Sequence, residues 1–243
     1  MKLLIDAGNT RLKWAWWDGV ALAGVSAAAN TGLDFAALWK NGNNADAIRV
    51  ASVASAASNA ALAAAVRARF GVEPVFVATR AQACGVRVAY TKPENLGVDR
   101  FLGMIAAHAL AQGPVMVASC GTALTLDALA ADGTHLGGLI GAGPELAQAA
   151  LRGGTARLAD VPAGRIVEIA DNTADAIESG AWLSAAALVE RFRERAAPRL
   201  GGDTALILTG GGASELSPLL ASPHRIDAEL VLRGLAMLAD ARD

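Results

Sequence analysis

The chain has 243 residues, 53% of them hydrophobic and 18% charged, with a formal net charge of −2. That length allows one large domain or two modest ones with real cores, and a weakly acidic balance without a basic run argues against nucleic acid as the main partner. The apolar runs are broken well short of the roughly 20 residues of a membrane span, and the two cysteines, Cys84 and Cys120, make neither a disulfide framework nor metal-ligand spacing, so a reduced, cytoplasmic protein without a leader peptide is expected.

An apolar strand over residues 2–6 opens the chain and runs directly into Gly8, Asn9 and Thr10. Residues 11–17 alternate, with Leu12, Trp14 and Trp16 on one face and Arg11, Lys13 and Trp17 on the other. Asp18-Gly19 signals a hairpin, and a third strand follows over 20–26. A helix is predicted over 33–39, a strand over 47–53, a helix over 59–70 capped by Gly71, and a strand over 73–79. The residues after Gly97-Val98-Asp99-Arg100 have helical periodicity, which puts Asp99 and Arg100 in the first turn of a helix.

The second half repeats the opening. An apolar strand over 115–119 reaches the turn Cys120-Gly121-Thr122, an alternating strand covers 123–130, Asp132-Gly133 signals a hairpin, and a third strand covers 135–143. Helices around 144–151 and 173–195, a strand over 204–209, a Gly-rich turn and a last helix ending near Asp240 complete the chain. This internal duplication predicts an α/β protein of two similar domains, residues 1–112 and 113–243, with a ligand in the cleft between them.

The turn at residues 6–13 carries more chemistry than a turn requires. Glycine lets the backbone approach a ligand closely, successive N–H groups can cradle phosphate oxygens, Asn9 and Thr10 add donors, Lys13 adds a point charge, and Asp6 can hold Mg²⁺ directly or through water. The plainer reading is a hairpin turn whose Asp and Asn serve local hydrogen bonds; the second copy and the Gly97–Arg100 element favour the phosphate site. The Gly-rich turn Thr209–Ser214 lacks the spacing and the βαβ setting of a dinucleotide fingerprint. The histidines at 108, 135 and 224 are scattered and form neither a metal cluster nor a Ser-His-Asp arrangement.

Two domains that each open on a hairpin phosphate loop resemble the duplicated, ribonuclease H-like plan of the actin/hexokinase/Hsp70 superfamily. The combination of Asp6-Ala7-Gly8-Asn9-Thr10 with Lys13, Gly97-Val98-Asp99-Arg100, Gly121-Thr122-Ala123 with Thr125 and Asp127, and Thr209-Gly210-Gly211 resembles the type III pantothenate kinases, a family that includes the Bvg accessory factors. The resemblance runs over nearly the whole chain.

It implies ATP-dependent phosphorylation of the primary hydroxyl of pantothenate, the first step of coenzyme A biosynthesis, by a homodimer that uses Mg²⁺ and a monovalent cation, K⁺ or NH₄⁺. ATP would be held by Asp6, Ala7, Gly8, Asn9, Thr10, Arg11, Leu12, Lys13, Gly121, Thr122, Gly210 and Gly211. Pantothenate would be held by Tyr90, Gly97, Val98, Asp99, Arg100 and Thr173, with Asp99 the catalytic base. Thr173 has a second reading as the N-cap of the long helix, and Asp127 reads equally as a water-mediated support for Mg²⁺ or as a hairpin-facing side chain. Ser119 stands where the family commonly has Asp at the monovalent-cation site; a neutral hydroxyl is a poorer ligand. The alternatives are another small-molecule kinase on this fold and a regulatory accessory protein.

Overall fold

The computed structural model describes residues 1–30, 33–35, 37–39, 44–201 and 203–241. The chain divides into two compact units, Met1–Ala109 with Glu229–Asp243, and Leu110–Ala228.

In the first unit β1 (Lys2–Ala7) lies between antiparallel β2 (Arg11–Trp17) and parallel β4 (Ala47–Ser52). With β3 (Leu22–Ala29) and β5 (Val75–Phe76) at the edges, the five-stranded order is β3-β2-β1-β4-β5. A bulge between Trp14 and Trp16 shifts the β2–β3 register and leaves both Ala15 and Trp16 buried. Leu3, Ile5, Leu12, Ile48 and Val50 from the sheet pack with Leu62 and Val66 from helix α1 (Ala56–Phe70). Trp39 closes this core edge-on to Trp14, with ring centroids 6.0 Å apart. Helix α1 starts where Ser55 accepts a hydrogen bond from the Ser58 N–H and stops at left-handed Gly71.

Two expectations change here. Residues 33–39 were expected to be helical; those described form isolated turns, such as Ala37 N–H to Asp34 C=O at 3.1 Å, and Ala36 lies outside the described residues. The strand expected over 73–79 contracts to Val75–Phe76, because only Arg49 and Val50 pair with it. A short ribbon of β6 (Gln82–Ala83) and β7 (Val86–Arg87) then leads to α2 (Val98–Ala111), which is buried continuously from Arg100 to Ala107.

The second unit repeats the plan. Strands β8 (Val115–Cys120), β9 (Ala123–Leu129), β10 (His135–Ala142), β11 (Ala205–Thr209) and β12 (Arg225–Ile226) take the order β10-β9-β8-β11-β12. Each strand thus occupies the place of its counterpart in the first sheet. Helices α3 (Pro144–Gly154), α4 (Thr173–Leu200) and α5 (Ala213–Leu216) complete the unit. Met116, Ala118 and Cys120 of β8 pack with Trp182, Ala185 and Val189 of α4.

The last helix, α6 (Leu230–Asp240), was expected within a second domain of residues 113–243; its contacts place it in the first unit. The physical cause is close backbone approach and polar anchoring. A Cβ on Gly234 would lie 2.0 Å from the Leu102 carbonyl oxygen, Lys2 Nζ donates to the Ala239 carbonyl at 2.9 Å, and Trp17 Nε1 donates to Asp240 Oδ2 at 2.8 Å.

Candidate active site

Within the first unit, Asp6 is half-buried near the end of β1, between buried Ile5 and Ala7, and lies directly opposite Lys13 of β2. The turn between these strands, Gly8 to Thr10, closes with the Gly8 N–H donating to the Arg11 carbonyl at 3.0 Å. Burial pushes the Asp6 carboxyl up to about 7, with the Lys13 ammonium pulling it down and the Asp99 carboxylate adding a smaller push up. The two carboxylates, 93 positions apart in sequence, therefore feel each other's charge.

Asp99 stands in the first turn of α2, where helix geometry favours negative charge. Its Oδ1 accepts the Arg100 N–H at 2.9 Å, and a Cβ on Gly97 would lie 2.6 Å from that oxygen. Glycine at 97 thus makes room for the Asp99 carboxylate. Arg100 is buried, donates Nη1 to the Tyr90 hydroxyl at 3.2 Å, and sets its guanidinium 5.9 Å from the Tyr90 ring centroid. Tyr90, Gly97, Asp99 and Arg100 form one constellation, and the charge of Asp99 also raises the Asp6 carboxyl.

In the second unit Ser119 is opposite Thr125 on β9 and beside Thr209 on β11, so three neutral hydroxyl residues are neighbours across the strands. The turn at Gly121 and Thr122 is held by the Gly121 N–H donating to the Ala123 carbonyl and the Gly143 N–H donating to the Thr122 carbonyl, both at 3.0 Å. The Gly-rich turn joins the same place, because the Gly212 N–H donates to the Cys120 carbonyl at 2.9 Å. Gly210 has φ +91°, and a Cβ there would lie 2.3 Å from the Cys120 oxygen. Cys120 is buried, and burial raises its thiol to about 11, so it is a packed residue and not a nucleophile.

Other expected residues have different surroundings. Asn172, not Thr173, caps α4, accepting the Asp175 N–H at 3.0 Å; Thr173 is the first helical residue and is exposed. Asp127 is no hairpin-facing side chain: it is buried in mid-strand with His135 Nε2 3.0 Å away. Sequence reading passed over His135 in this pairing. It also passed over Asn30, whose amide donates to the Gly8 and Asn9 carbonyls. Aligning the two halves at their third strands would have marked that position, since Asn30 and Gly143 follow those strands. Among the described residues no group of three or more His, Cys, Asp or Glu side chains could hold a metal ion.

A family model described as type III pantothenate kinase matches residues 2–195. The chain is 44% identical to a type III pantothenate kinase from Xanthomonas campestris pv. campestris (strain 8004), covering 97% of this chain and 96% of the relative. It is 42% identical to one from Chromobacterium violaceum, covering 99% and 100%, and 36% identical to one from Nitrosococcus oceani, covering 98% and 94%. Among solved structures, a conserved Baf family protein from Campylobacter jejuni described as a transcriptional activator superposes with a TM-score of 0.58 at 19% identity, covering 96% of this chain and 94% of that one. The ethanolamine utilization protein EutJ from Carboxydothermus hydrogenoformans superposes with a TM-score of 0.54 at 13% identity, covering 98% and 89%. At such identities these likenesses concern the fold alone, an α/β plan whose two sheets have the same strand order.

Proposed function

The chain belongs to the type III pantothenate kinase family, and from that premise we propose how its residues divide the work of transferring the γ-phosphoryl group of ATP to pantothenate, the reaction that opens coenzyme A biosynthesis. The observation that carries the assignment is the pairing of Asp6 with Lys13 across the turn, in the same unit as an α2 that begins with Asp99 and with Arg100 bonded to Tyr90.

Residues 6–13 hold the phosphates in the first unit, and Gly121 and Thr122 hold them in the second. Gly210 and Gly211 present bare backbone to the adenosine. Lys13 neutralises charge that develops on the transferring group. Asp99 accepts the proton of the pantothenate hydroxyl as it attacks in line. Arg100, held rigid by Tyr90, clamps the substrate carboxylate; a preorganised guanidinium loses little freedom on binding. Gly97 and Val98 shape the pocket wall beside Asp99, and Thr173, exposed at the start of α4, supplies a hydroxyl to the pantothenate pocket.

Kinases of this family use a divalent metal. The fit here rests on Asp6, a carboxylate that burial keeps from ionising and that a divalent cation would bring back to its charged form. With no prebuilt cluster among the described residues, Mg²⁺ would be held by Asp6 and the nucleotide's own phosphates, the usual arrangement for that ion. It would supply charge neutralisation to the transferring phosphoryl group. Asp127, shut in beside His135, supports the strand that carries Thr125. Ser119 puts a neutral hydroxyl where the family commonly has a carboxylate, so K⁺ or NH₄⁺ stimulates weakly.

A homodimer would cover apolar surface that the second unit leaves exposed. Edge strand β10 exposes Leu139 and Ile140, and α3, packed on it, exposes Leu146 and Leu151. No helix among the described residues is long and apolar enough to cross a membrane. A coupled ADP-release assay with Mg-ATP tests the reading: release must require pantothenate, and folded protein without it would overturn the assignment.

A further inference from the structure

We infer that Asn30 is a positioning residue for the first phosphate turn, an inference that rests on reading residues 6–13 as the phosphate site. The turn between β1 and β2 consists of Gly8, Asn9 and Thr10. Asn30, the residue after β3, engages all three of their carbonyls. Its Nδ2 donates to the Gly8 oxygen at 2.8 Å and the Asn9 oxygen at 3.0 Å, and its backbone N–H donates to the Thr10 oxygen at 2.9 Å.

An anion-binding turn must present N–H groups and keep its carbonyl oxygens, which repel phosphate, turned away. One residue that binds every carbonyl of the turn does this directly. The amide of Asn has two donor hydrogens, one for each side-chain contact; the isosteric carboxylate of Asp has none. Packing does not provide the same restraint, because a cavity of about 300 Å³ lies beside the turn, lined by Gly8, Leu12, Asn30, Phe35, Asn59 and Leu62 among others.

The second unit supports the comparison. Gly143 follows its third strand as Asn30 follows β3, and its N–H also donates to the last residue of the turn, Thr122. There the turn is one residue shorter, Gly121 and Thr122, and backbone meets backbone: a Cβ on Gly143 would lie 1.9 Å from the Gly121 oxygen. Both units have the backbone bond, while in the longer turn of the first a side-chain amide holds the other two carbonyls, those of Gly8 and Asn9.

The test measures KM for ATP, KM for pantothenate, kcat and the unfolding midpoint for Asn30→Ala, Asn30→Asp and Lys13→Ala. Asn30→Ala is expected to lower kcat/KM for ATP by on the order of 10- to 100-fold, and Asn30→Asp to lower it further, while KM for pantothenate stays within about 2-fold of the parent. Unfolding midpoints should stay within about 4 °C. Unchanged ATP kinetics in Asn30→Ala beside an impaired Lys13→Ala would overturn the inference and leave the phosphate site standing. Unchanged ATP kinetics in Lys13→Ala would remove the phosphate site and the inference with it. Failure of both Asn30 variants to fold, or a parallel rise of both KM values with a large drop in midpoint, would make Asn30 structural and also overturn it.

Discussion

Asp6 and Lys13 are Cα partners across β1 and β2, one at each mouth of the phosphate turn, and Lys13 is the nearby charge that most favours ionised Asp6. Burial outweighs that help, so ligand-free Asp6 holds its proton up to about 7. A carboxylate in this setting costs stability once it ionises.

That cost has a sign that can be measured. The folded-state value, about 7, lies above the ordinary 3.8, so the folded chain binds the proton more tightly than the unfolded chain. The stabilisation is complete below about 4 and is lost as pH rises to about 7, a change of about 4 kcal/mol at most from a shift of about 3 units. In ligand-free protein, Asp6→Asn should therefore melt higher relative to the parent at about pH 8 than at about pH 5, while losing activity. Melting curves that run parallel across this range would show that Asp6 ionises freely.

Asp99→Asn keeps the size of the side chain and removes the base. Turnover should fall on the order of 10²- to 10⁴-fold, with nucleotide binding by calorimetry within a few-fold of the parent. Near-normal turnover would exclude Asp99 as the proton acceptor.

At position 210 the second unit has no room for a side chain. Gly210→Ala meets both a φ of +91° and a carbonyl at 2.3 Å, and should cost about 2–4 kcal/mol of stability, read by denaturant melting. Activity should fall with it, because the strained turn rests on Cys120 beside Gly121 and Thr122.

Around Ser119 the three hydroxyl residues are neutral. Rates in KCl, NH₄Cl and NaCl should differ by less than about 3-fold in the parent, and Ser119→Asp, which adds a formal charge, should widen the preference for K⁺ or NH₄⁺. Strong K⁺ dependence in the parent would place the cation elsewhere.

Much of the fold and part of the candidate site were legible in the chain. Strand periodicity around Leu12 and Trp14, the Asp18-Gly19 and Asp132-Gly133 turns, and the repeated strand-turn-strand units predicted two like sheets, and both sheets have the same strand order. The turns at Gly8–Thr10 and Gly121–Thr122 were legible because turn chemistry is local: glycine, Asn and Thr act within a few residues of one another. The short segment at 33–39 was misread because its apolar spacing suits a helix, while its described residues instead turn to place Trp39 in the core. The cap of α4 was displaced by one residue, a boundary that local pattern seldom resolves.

By itself the sequence determined the elements, their duplication and the residue types of the site, since these follow from side-chain periodicity and turn preference. Only the tertiary structure decided which distant groups meet: Asp99 near Asp6, Arg100 on Tyr90, Asn30 on the carbonyls of the Gly8–Thr10 turn, His135 beside Asp127, and the last helix on the first sheet. Those meetings depend on strand register and backbone approach between segments tens of residues apart, which local preference does not encode.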